Sequence, residues 1–386
     1  MDIIHLPIEL WTLIAGPLDI KLQVRLIQLC KTIKNKIFIT DLCNIDDKLK
    51  EKLNGDIIKK YPYIKKLYAG GYDCGIDDNS LIGINLVELN AWNNPKIKKI
   101  NHMTNLRILH AGEYCGVNDD SLVGLNLVEL NAYNNSKIKK INHMTNLRIL
   151  YAYLNSRIDD ESLVGVNLVE LYAYNNSKIR KINHITNLRI LHAGGDSGID
   201  DDSLVGLNLV ELNAYNNSKI KKINHMSNLR ILTAYLNSGI DDESLISTFG
   251  GLNLFDLDAC ENPKIKKINH MTNLRILNAS FNSGIDDESL IGLNLVELNA
   301  CDNPKIKKIN HMTNLRILNA SFNSGIDDDS LAGLNLVELN ATNNPKIKKI
   351  NHMSNLRILN LIQLNANGNP KKIKKKRKYD KFKNTE

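Results

Sequence analysis

Seven histidines at one position of a repeated segment are the first side chains that suggest chemistry. Successive members lie about 10 Å apart if each repeat adds two strands to a sheet, whereas zinc ligands lie about 2 Å from one shared ion. We therefore predict a hydrogen bond in a turn, no metal site and no cofactor. The residues are His102, His143, His184, His225, His270, His311 and His352.

Other catalytic combinations are missing from the sequence as patterns. Serine, histidine and aspartate are abundant only because the repeats are numerous, and their spacing does not mark any of them as a nucleophile with its base. No glycine-rich phosphate loop follows a strand and opens a helix, and no C-x-x-C pair occurs. We therefore expect a protein that is not an enzyme.

The histidines belong to the segment N-H-[MI]-[TS]-N-L-R-I-L, whose copies are 41 residues apart with one step of 45. A fixed period of this size indicates a solenoid or a propeller. Each copy divides into halves of 21 and 20 residues with the frame L-x-x-L-x-A-x-x-N. The first half continues into a G-I-D-D-E-S-L turn and the second into K-I-K-K-I-N-H-M. We refer to them below as the acidic and the basic half-repeat.

The frame L-x-x-L-x-A-x-x-N resembles the leucine-rich repeat, with alanine in place of leucine at its sixth position. The resemblance implies an α/β repeat fold, a curved solenoid with short parallel strands on the concave face and turns or 3₁₀ pieces on the convex face. Positions four and six should point into the core, and positions three, five and seven outward. The asparagine at position nine should bond to turn backbone.

The concave face is the predicted binding surface, because solenoids bind partners there. Position seven is aromatic in the N-terminal part of the array, and position three carries acid in alternate half-repeats. Such rows suit a protein partner with apolar and basic groups, and aromatic packing from strand to strand is the alternative. The predicted contact residues are Trp92, Tyr133, Tyr174, Tyr215, Glu129, Glu170 and Glu211.

Residues 1–40 differ from the array and have apolar residues at helical spacing. They resemble an F-box, in the start L-P-x-E-L and in a later L-D and L-C-K. The resemblance implies a Skp1-like adaptor bound through residues 6–33, and a substrate-recognition subunit of a Skp1–cullin–F-box ubiquitin ligase. The alternative is an interaction scaffold without a ligase role, whose N-terminal helices only cap the array. The residues implied in adaptor binding are Leu6, Pro7, Leu10, Ile14, Leu18, Leu22, Leu26 and Leu29.

We predict four segments: the F-box-like 1–40, a connector 41–62, the solenoid 63–370 and a basic tail 371–386. In the connector, a short helix should start at Asp46 or Asp47, run through Leu53 and end at Gly55. The net charge is +8, and the tail carries +7 of it. The tail is interpreted as a solubilising terminus, a nuclear import signal in 371–378 or a nucleic-acid contact. Outside the tail, we do not expect the chain to bind nucleic acid. With neither secretion signal nor membrane span in the sequence, we expect a cytoplasmic protein.

Overall fold

The computed structural model describes residues 8–15, 18, 20–29, 39–43, 45–246, 252–361, 363–364 and 370–371. The expectations for Leu6, Pro7 and the tail beyond Lys371 lie outside these residues. Two compact units divide the chain, Met1–Leu207 and Asn208–Glu386.

The first unit is built on short strands that pair in parallel and in chain order. Each pairing brings the central leucine of one strand opposite that of the next, as for Leu109 and Leu130. The strands are β1 (Asp41–Leu42), β2 (Lys66–Tyr68), β3 (Glu88–Asn90), β4 (Ile108–His110), β5 (Glu129–Asn131), β6 (Ile149–Tyr151), β7 (Glu170–Tyr172) and β8 (Ile190–His192).

The second unit repeats this arrangement and ends in a small antiparallel pair, β17 (Gln363–Leu364) with β18 (Pro370–Lys371). Its parallel strands are β9 (Glu211–Asn213), β10 (Ile231–Thr233), β11 (Asp256–Asp258), β12 (Ile276–Asn278), β13 (Glu297–Asn299), β14 (Ile317–Asn319), β15 (Glu338–Asn340) and β16 (Ile358–Asn360).

Side chains alternate along each strand as the frame predicts. In β5, Leu130 is buried while Glu129 and Asn131 are half-buried, and Ala132 and Ile138 complete the buried positions of that half-repeat. The turns opposite the strands are irregular or short. They include 3₁₀ helices at Asp119–Leu122, Glu161–Leu163 and Asp202–Leu204, and one helical turn, Asp242–Leu245. The leucine-rich-repeat solenoid is therefore confirmed.

The aspartates of the acidic half-repeat have two separate tasks. Asp159 accepts hydrogen bonds from the backbone N–H and the hydroxyl of Ser162, at 3.1 and 2.8 Å, and so closes its own turn. Asp160 instead accepts from the backbone N–H groups of Arg180 and Lys181 in the following basic half-repeat, at 2.6 and 2.8 Å. Most of these aspartates therefore bind backbone rather than forming a simple ladder of ion pairs, although Lys139 does pair with Asp159 at 2.8 Å.

The asparagine at position nine separates the two kinds of half-repeat. In the basic half-repeat Asn135 is buried, and its Nδ2 donates to Ala111 O and Val117 O at 2.7 and 3.2 Å. In the acidic half-repeat Asn155 is exposed and the next residue, Ser156, is buried. The predicted bond from asparagine to turn backbone is thus confirmed for the basic half-repeats. For Asn155 the prediction was wrong, because Ser156 and not Asn155 is the buried residue of that turn.

Two helices precede the strands, α1 (Ile8–Ala15) and α2 (Ile20–Leu29). The Gln23 side chain donates to Ala15 O and Leu18 O at 3.0 and 2.9 Å, which satisfies carbonyls left free where the first helix ends. The helices of this segment were expected, and its match to an F-box is not shown by the structure.

The connector contains two one-turn helices instead of one longer helix. Asp46 caps α3 (Asp47–Lys50) by accepting from the Leu49 N–H at 3.0 Å. Asn54 caps α4 (Gly55–Ile58) by accepting from the Ile57 N–H at 3.0 Å. The prediction that Gly55 ends a helix was therefore wrong, because the asparagine before it starts a new one.

Candidate protein-binding surface

The outward positions three, five and seven form what we call the strand face of each unit. At position five, eight of the fifteen half-repeats carry asparagine, and the side chain of this asparagine can accept the backbone N–H two residues later. Asn90 accepts from Trp92 at 3.1 Å and Asn131 accepts from Tyr133 at 3.0 Å. This local bond fixes the end of the strand and uses the polar group of the side chain.

An aromatic cluster covers the strand face of the first unit, and it consists of Trp92, Tyr133, Tyr151, Tyr153, Tyr172 and His192. The rings of Trp92 and Tyr133 stack with centroids 5.1 Å apart. Those of Tyr151 and Tyr172 stack at 4.4 Å, and Tyr153 meets Tyr133 edge to face at 6.0 Å. The rings are half-buried. They therefore pack on one another and still present surface, so both interpretations of the aromatic row have support.

Gly112 makes the first of these stacks possible. It occupies position seven of the half-repeat between those of Trp92 and Tyr133. A Cβ at residue 112 would lie 2.4 Å from the Trp92 ring, which therefore lies across the glycine to reach Tyr133. Although the two residues belong to strands two steps apart, their rings are in contact at half of the spacing of about 10 Å that strand geometry alone gives.

Three of the cluster residues were missed by the sequence analysis, Tyr151, Tyr172 and His192 at position five. The Tyr172 hydroxyl donates to Glu170 at 2.9 Å. Within the first unit, position five carries asparagine only as Asn90 and Asn131 and otherwise tyrosine or histidine. The sequence could therefore have indicated these residues, because side chains with rings outnumber asparagine at that position.

The predicted acidic row lies beside the cluster in the first unit. Isoleucine separates its members, since Glu129 stands opposite Ile108 and Ile149. Burial raises the pKa of Glu129, with Glu88 and Glu170 adding repulsion, although His110 opposes it. Glu88 is paired with Lys66 at 2.9 Å. Burial likewise raises the pKa of the Tyr153 phenol to about 12.

The remaining predicted residues lie outside this cluster. Tyr174 is half-buried beside Gly195, where an added Cβ would meet its Cε2 at 3.2 Å. Tyr215 and Glu211 belong to the second unit, where Tyr215 stacks on Tyr235 with centroids 4.2 Å apart. The structure therefore brings Trp92 and Tyr133 together and leaves Tyr174 and Tyr215 in other surroundings.

The repeated histidines lie in turns and bind backbone. The Nε2 atom of His102 is 3.2 Å from Leu81 O, and that of His143 is 3.2 Å from Leu122 O. The same contact occurs at His184, His311 and His352. The predicted turn hydrogen bond is confirmed at these positions. Within the described ranges, no group of three or more His, Cys, Asp or Glu side chains could hold a metal ion.

The N-terminal helices expose apolar side chains. Leu10 is 41% exposed and Ile14 45% exposed on α1, while Trp11 and Ala15 of the same helix are buried. Leu22 on α2 is 41% exposed, Leu18 and Leu26 are half-buried, and Leu29 ends α2. In the part of the chain that the structure describes, no helix is long and apolar enough to cross a bilayer.

No protein-family model and no curated protein matches the sequence. Among solved structures, the chain is similar to the yeast Rad7–Elc1 complex, at 15% identity and a TM-score of 0.42, covering 86% of this chain and 92% of that one. It is also similar to a Leptospira interrogans leucine-rich-repeat protein, at 18% identity and a TM-score of 0.40, covering 80% of each. A Listeria monocytogenes internalin, InlF, is 19% identical with a TM-score of 0.37, and the match covers 78% of this chain and 82% of that chain. Similarity at this level transfers no partner to this chain.

Proposed function

We propose that the chain is a protein-binding solenoid whose main contact is the aromatic cluster on the strand face of the first unit. The observation that carries the proposal is the pair Tyr151 and Tyr172. At that position Asn90 and Asn131 close the strand end with a backbone bond, whereas Tyr151 and Tyr172 stack on each other with ring centroids 4.4 Å apart and remain half-buried. Half-buried tyrosine and tryptophan rings are also typical of binding hot spots.

The neighbouring charges define the chemistry of the partner. Glu129 and Glu170 stand at position three of β5 and β7, the strands that carry or adjoin the clustered rings. Carboxylates attract lysine and arginine, and the rings bind apolar groups or lie under a cation. A phosphate backbone would be repelled by the same carboxylates. We therefore propose a protein partner with apolar and basic side chains.

The test replaces Tyr151 and Tyr172 together by alanine. The native chain and the variant are immobilised, partners are captured from cell extract and identified, and the affinity of the recovered partner is then measured. We expect a loss of about 2 kcal/mol or more, roughly thirtyfold in Kd. The matched control replaces Cys301 and Thr342, at position seven in the second unit, by alanine.

Two outcomes would contradict this placement. Partner binding that survives the tyrosine pair and fails with the control pair would put the site in the second unit. Loss of the native circular dichroism spectrum in the tyrosine variant would show that the rings serve packing between strands. A second double variant, Tyr133→Ala with Tyr174→Ala, tests the cluster further, because of these two residues only Tyr133 packs within it.

We further propose that the N-terminal helices dock a Skp1-like adaptor, which would make the chain the substrate-recognition subunit of a ubiquitin ligase. The supporting observation is the exposed apolar surface of Leu10, Ile14 and Leu22. A helix that only capped the array would have its polar face outward. Replacing Leu10 and Ile14 by serine should abolish recovery of Skp1 and cullin while the array stays folded. If the native chain recovers no Skp1, the scaffold alternative is correct and the helices are caps.

A further inference from the structure

The strand face of the second unit is rich in carboxylates. Positions three, five, seven and eight of the half-repeats of β9 to β15 include no lysine or arginine. Burial raises the pKa of Asp256, and repulsion from Asp258, Glu297 and Glu211 adds to it. We call this surface the acidic face, and its acids are Glu211, Asp256, Asp258, Glu261, Glu297, Asp302 and Glu338.

Two phenylalanines, Phe281 and Phe322, stand along one edge of the acidic face, and their side chains are 42% and 49% exposed. Both occupy position eight, where the backbone is left-handed in most half-repeats that the structure describes, with φ of 55° and 58° at these two. The turn of the repeat imposes this conformation, so it is not special to the phenylalanines. Their distinction is an exposed apolar ring beside carboxylates, and aromatic rings are typical of contact surfaces.

Acids alternate with these rings along the edge. Phe281 N–H donates to Cys301 O at 2.7 Å, and Asp302 N–H donates to Ser321 O at 3.1 Å. The backbone ladder thus places Phe281, Asp302 and Phe322 in successive half-repeats. An occupant of this edge needs cationic groups for the carboxylates, and cationic or apolar groups for the rings.

The chain carries a segment of this chemistry at its own C-terminus. The tail holds nine basic residues and two acidic ones from Lys371 onward. Ile373, Tyr379 and Phe382 are interspersed among the basic residues. We propose that residues 372–386 dock on the acidic face of the same chain and mask it.

The point where the tail begins supports this occupant. Lys371 on β18 stands opposite Gln363, and Gln363 is three residues beyond Asn360, the end of β16. The tail therefore starts at the edge of the array where the strands end, which is the edge that carries the phenylalanines. Phe322 belongs to the half-repeat two strands away, about 10 Å, and Phe281 to the one four strands away, about 19 Å. Fifteen extended residues span up to about 50 Å.

Attachment also raises the local concentration of the tail. A short flexible connection gives an effective concentration on the order of millimolar, so a weak contact in trans becomes a populated one in cis. Exposed charges are screened over about 10 Å at 0.1 M salt. The docked state should therefore yield to high salt, or to a partner that is more basic than the tail.

The experiment compares the full chain with a chain that ends at Lys371. A labelled synthetic peptide of residues 372–386 is titrated against each chain, and binding is followed by fluorescence anisotropy. We expect the truncated chain to bind the peptide at least about tenfold more tightly than the full chain, whose own tail competes. We expect the affinity to fall about tenfold or more when salt is raised from about 0.05 M to 0.3 M.

Charge variants of the truncated chain locate the site. Glu297→Gln with Asp302→Asn should weaken peptide binding about fivefold or more. The matched control is Glu288→Gln with Asp329→Asn, two exposed acids on turns away from the strand face, which should leave binding unchanged. Carbodiimide coupling of the full chain followed by mass spectrometry should join tail lysines to Glu297, Asp302 or Glu338.

Three results would overturn the proposal. Equal peptide binding by the full and the truncated chain would show that the tail does not occupy the acidic face. The acidic face would then be open to a basic partner. Equal binding by the face variant and the turn variant would place the peptide elsewhere. Coupling products found only in covalent dimers would put the tail on a second copy. None of these measurements uses the Tyr151 and Tyr172 variant, so the docking of the tail and the proposed function can be refuted separately.

Discussion

Replacing Asn135 by alanine tests the difference between the two kinds of half-repeat. Asn135 is 1% exposed. Its Nδ2 donates to Ala111 O and Val117 O, and its Oδ1 accepts from the Lys137 N–H at 2.9 Å. One side chain therefore satisfies three backbone groups in a place that water does not reach. The matched control is Asn155→Ala, because Asn155 has the same place in the sequence frame and is exposed.

The expected cost follows from the number of bonds. Removing one partner of a buried hydrogen bond costs about 1–3 kcal/mol, because the group left behind is desolvated and unpaired. Three such groups would cost more than 3 kcal/mol if they were independent, but local relaxation reduces the sum. We expect Asn135→Ala to lower the free energy of unfolding by about 3 kcal/mol. Asn155→Ala should change it by less than about 0.5 kcal/mol.

Urea unfolding followed by circular dichroism measures the difference, provided that both variants keep the native slope of the transition. Linear arrays can lose cooperativity, so amide hydrogen exchange serves as a second measurement. The Lys137 amide should exchange faster in Asn135→Ala and at the native rate in Asn155→Ala. Equal costs for the two variants, or a cost below about 1 kcal/mol for Asn135→Ala, would refute the buried network.

Three further outcomes are expected. Gly112→Ala should displace the Trp92 ring and reduce its near-ultraviolet circular dichroism, measured in a Trp11→Phe background so that one tryptophan remains; an unchanged spectrum would contradict the contact. The backbone N–H and the hydroxyl of Ser330 donate to Asp327 and lower the pKa of this carboxyl in the folded protein. The contribution of Asp327 to stability is therefore present above its unfolded pKa and is lost as the pH falls through its folded pKa. Asp327→Ala should therefore cost about 1 kcal/mol at neutral pH and progressively less below about pH 4, and a constant cost across pH would count against this. Leu154→Asn should raise the unfolding free energy by about 1 kcal/mol, because φ is 53° there and asparagine tolerates this conformation better; a lower midpoint would contradict the strain.

The periodic part of the fold could be predicted from the sequence because each repeat satisfies the same local rules many times. Alternation along a strand requires only that leucine be buried and its neighbours be outward, and β5 shows this pattern. A turn of this length has no room for a long helix, which accounts for the 3₁₀ helix at Asp119–Leu122.

The fate of the asparagine at position nine could not be predicted, because both half-repeats share it in the frame. The acidic half-repeat usually has glycine two residues later. Gly325 donates its N–H to Asn303 O at 3.0 Å, and a Cβ there would meet Ile306 O at 2.5 Å. This close approach to the preceding turn accompanies the inward placement of Ser324. The decisive contact lies between neighbouring half-repeats and is invisible within one.

The candidate site was predicted only in part, for a similar reason. The row at position seven is visible in the sequence as a run of aromatic residues. The stack of Trp92 on Tyr133 depends on a missing side chain at Gly112, and absence of a side chain gives no signal in a search for binding residues. The Asn54–Gly55 pair was misinterpreted because the same two residues can end one helix or start another, and only the Ile57 N–H decides.

The side-chain bonds between half-repeats also limit how such an array can change its length. A basic half-repeat relies on the acidic one before it: Asp119 accepts from the Lys139 and Lys140 amides, Lys137 reaches Cys115 O, and His143 reaches Leu122 O. Excising one acidic half-repeat would join two basic turns, leaving amides without a carboxylate and bringing lysines side by side. We therefore expect the fold to tolerate tandem duplication or loss in the coding sequence only when a whole pair of half-repeats is gained or lost. An engineered extension of the protein should likewise insert 41 residues at a time, because one acidic and one basic half-repeat together form the smallest unit that satisfies its own side-chain bonds.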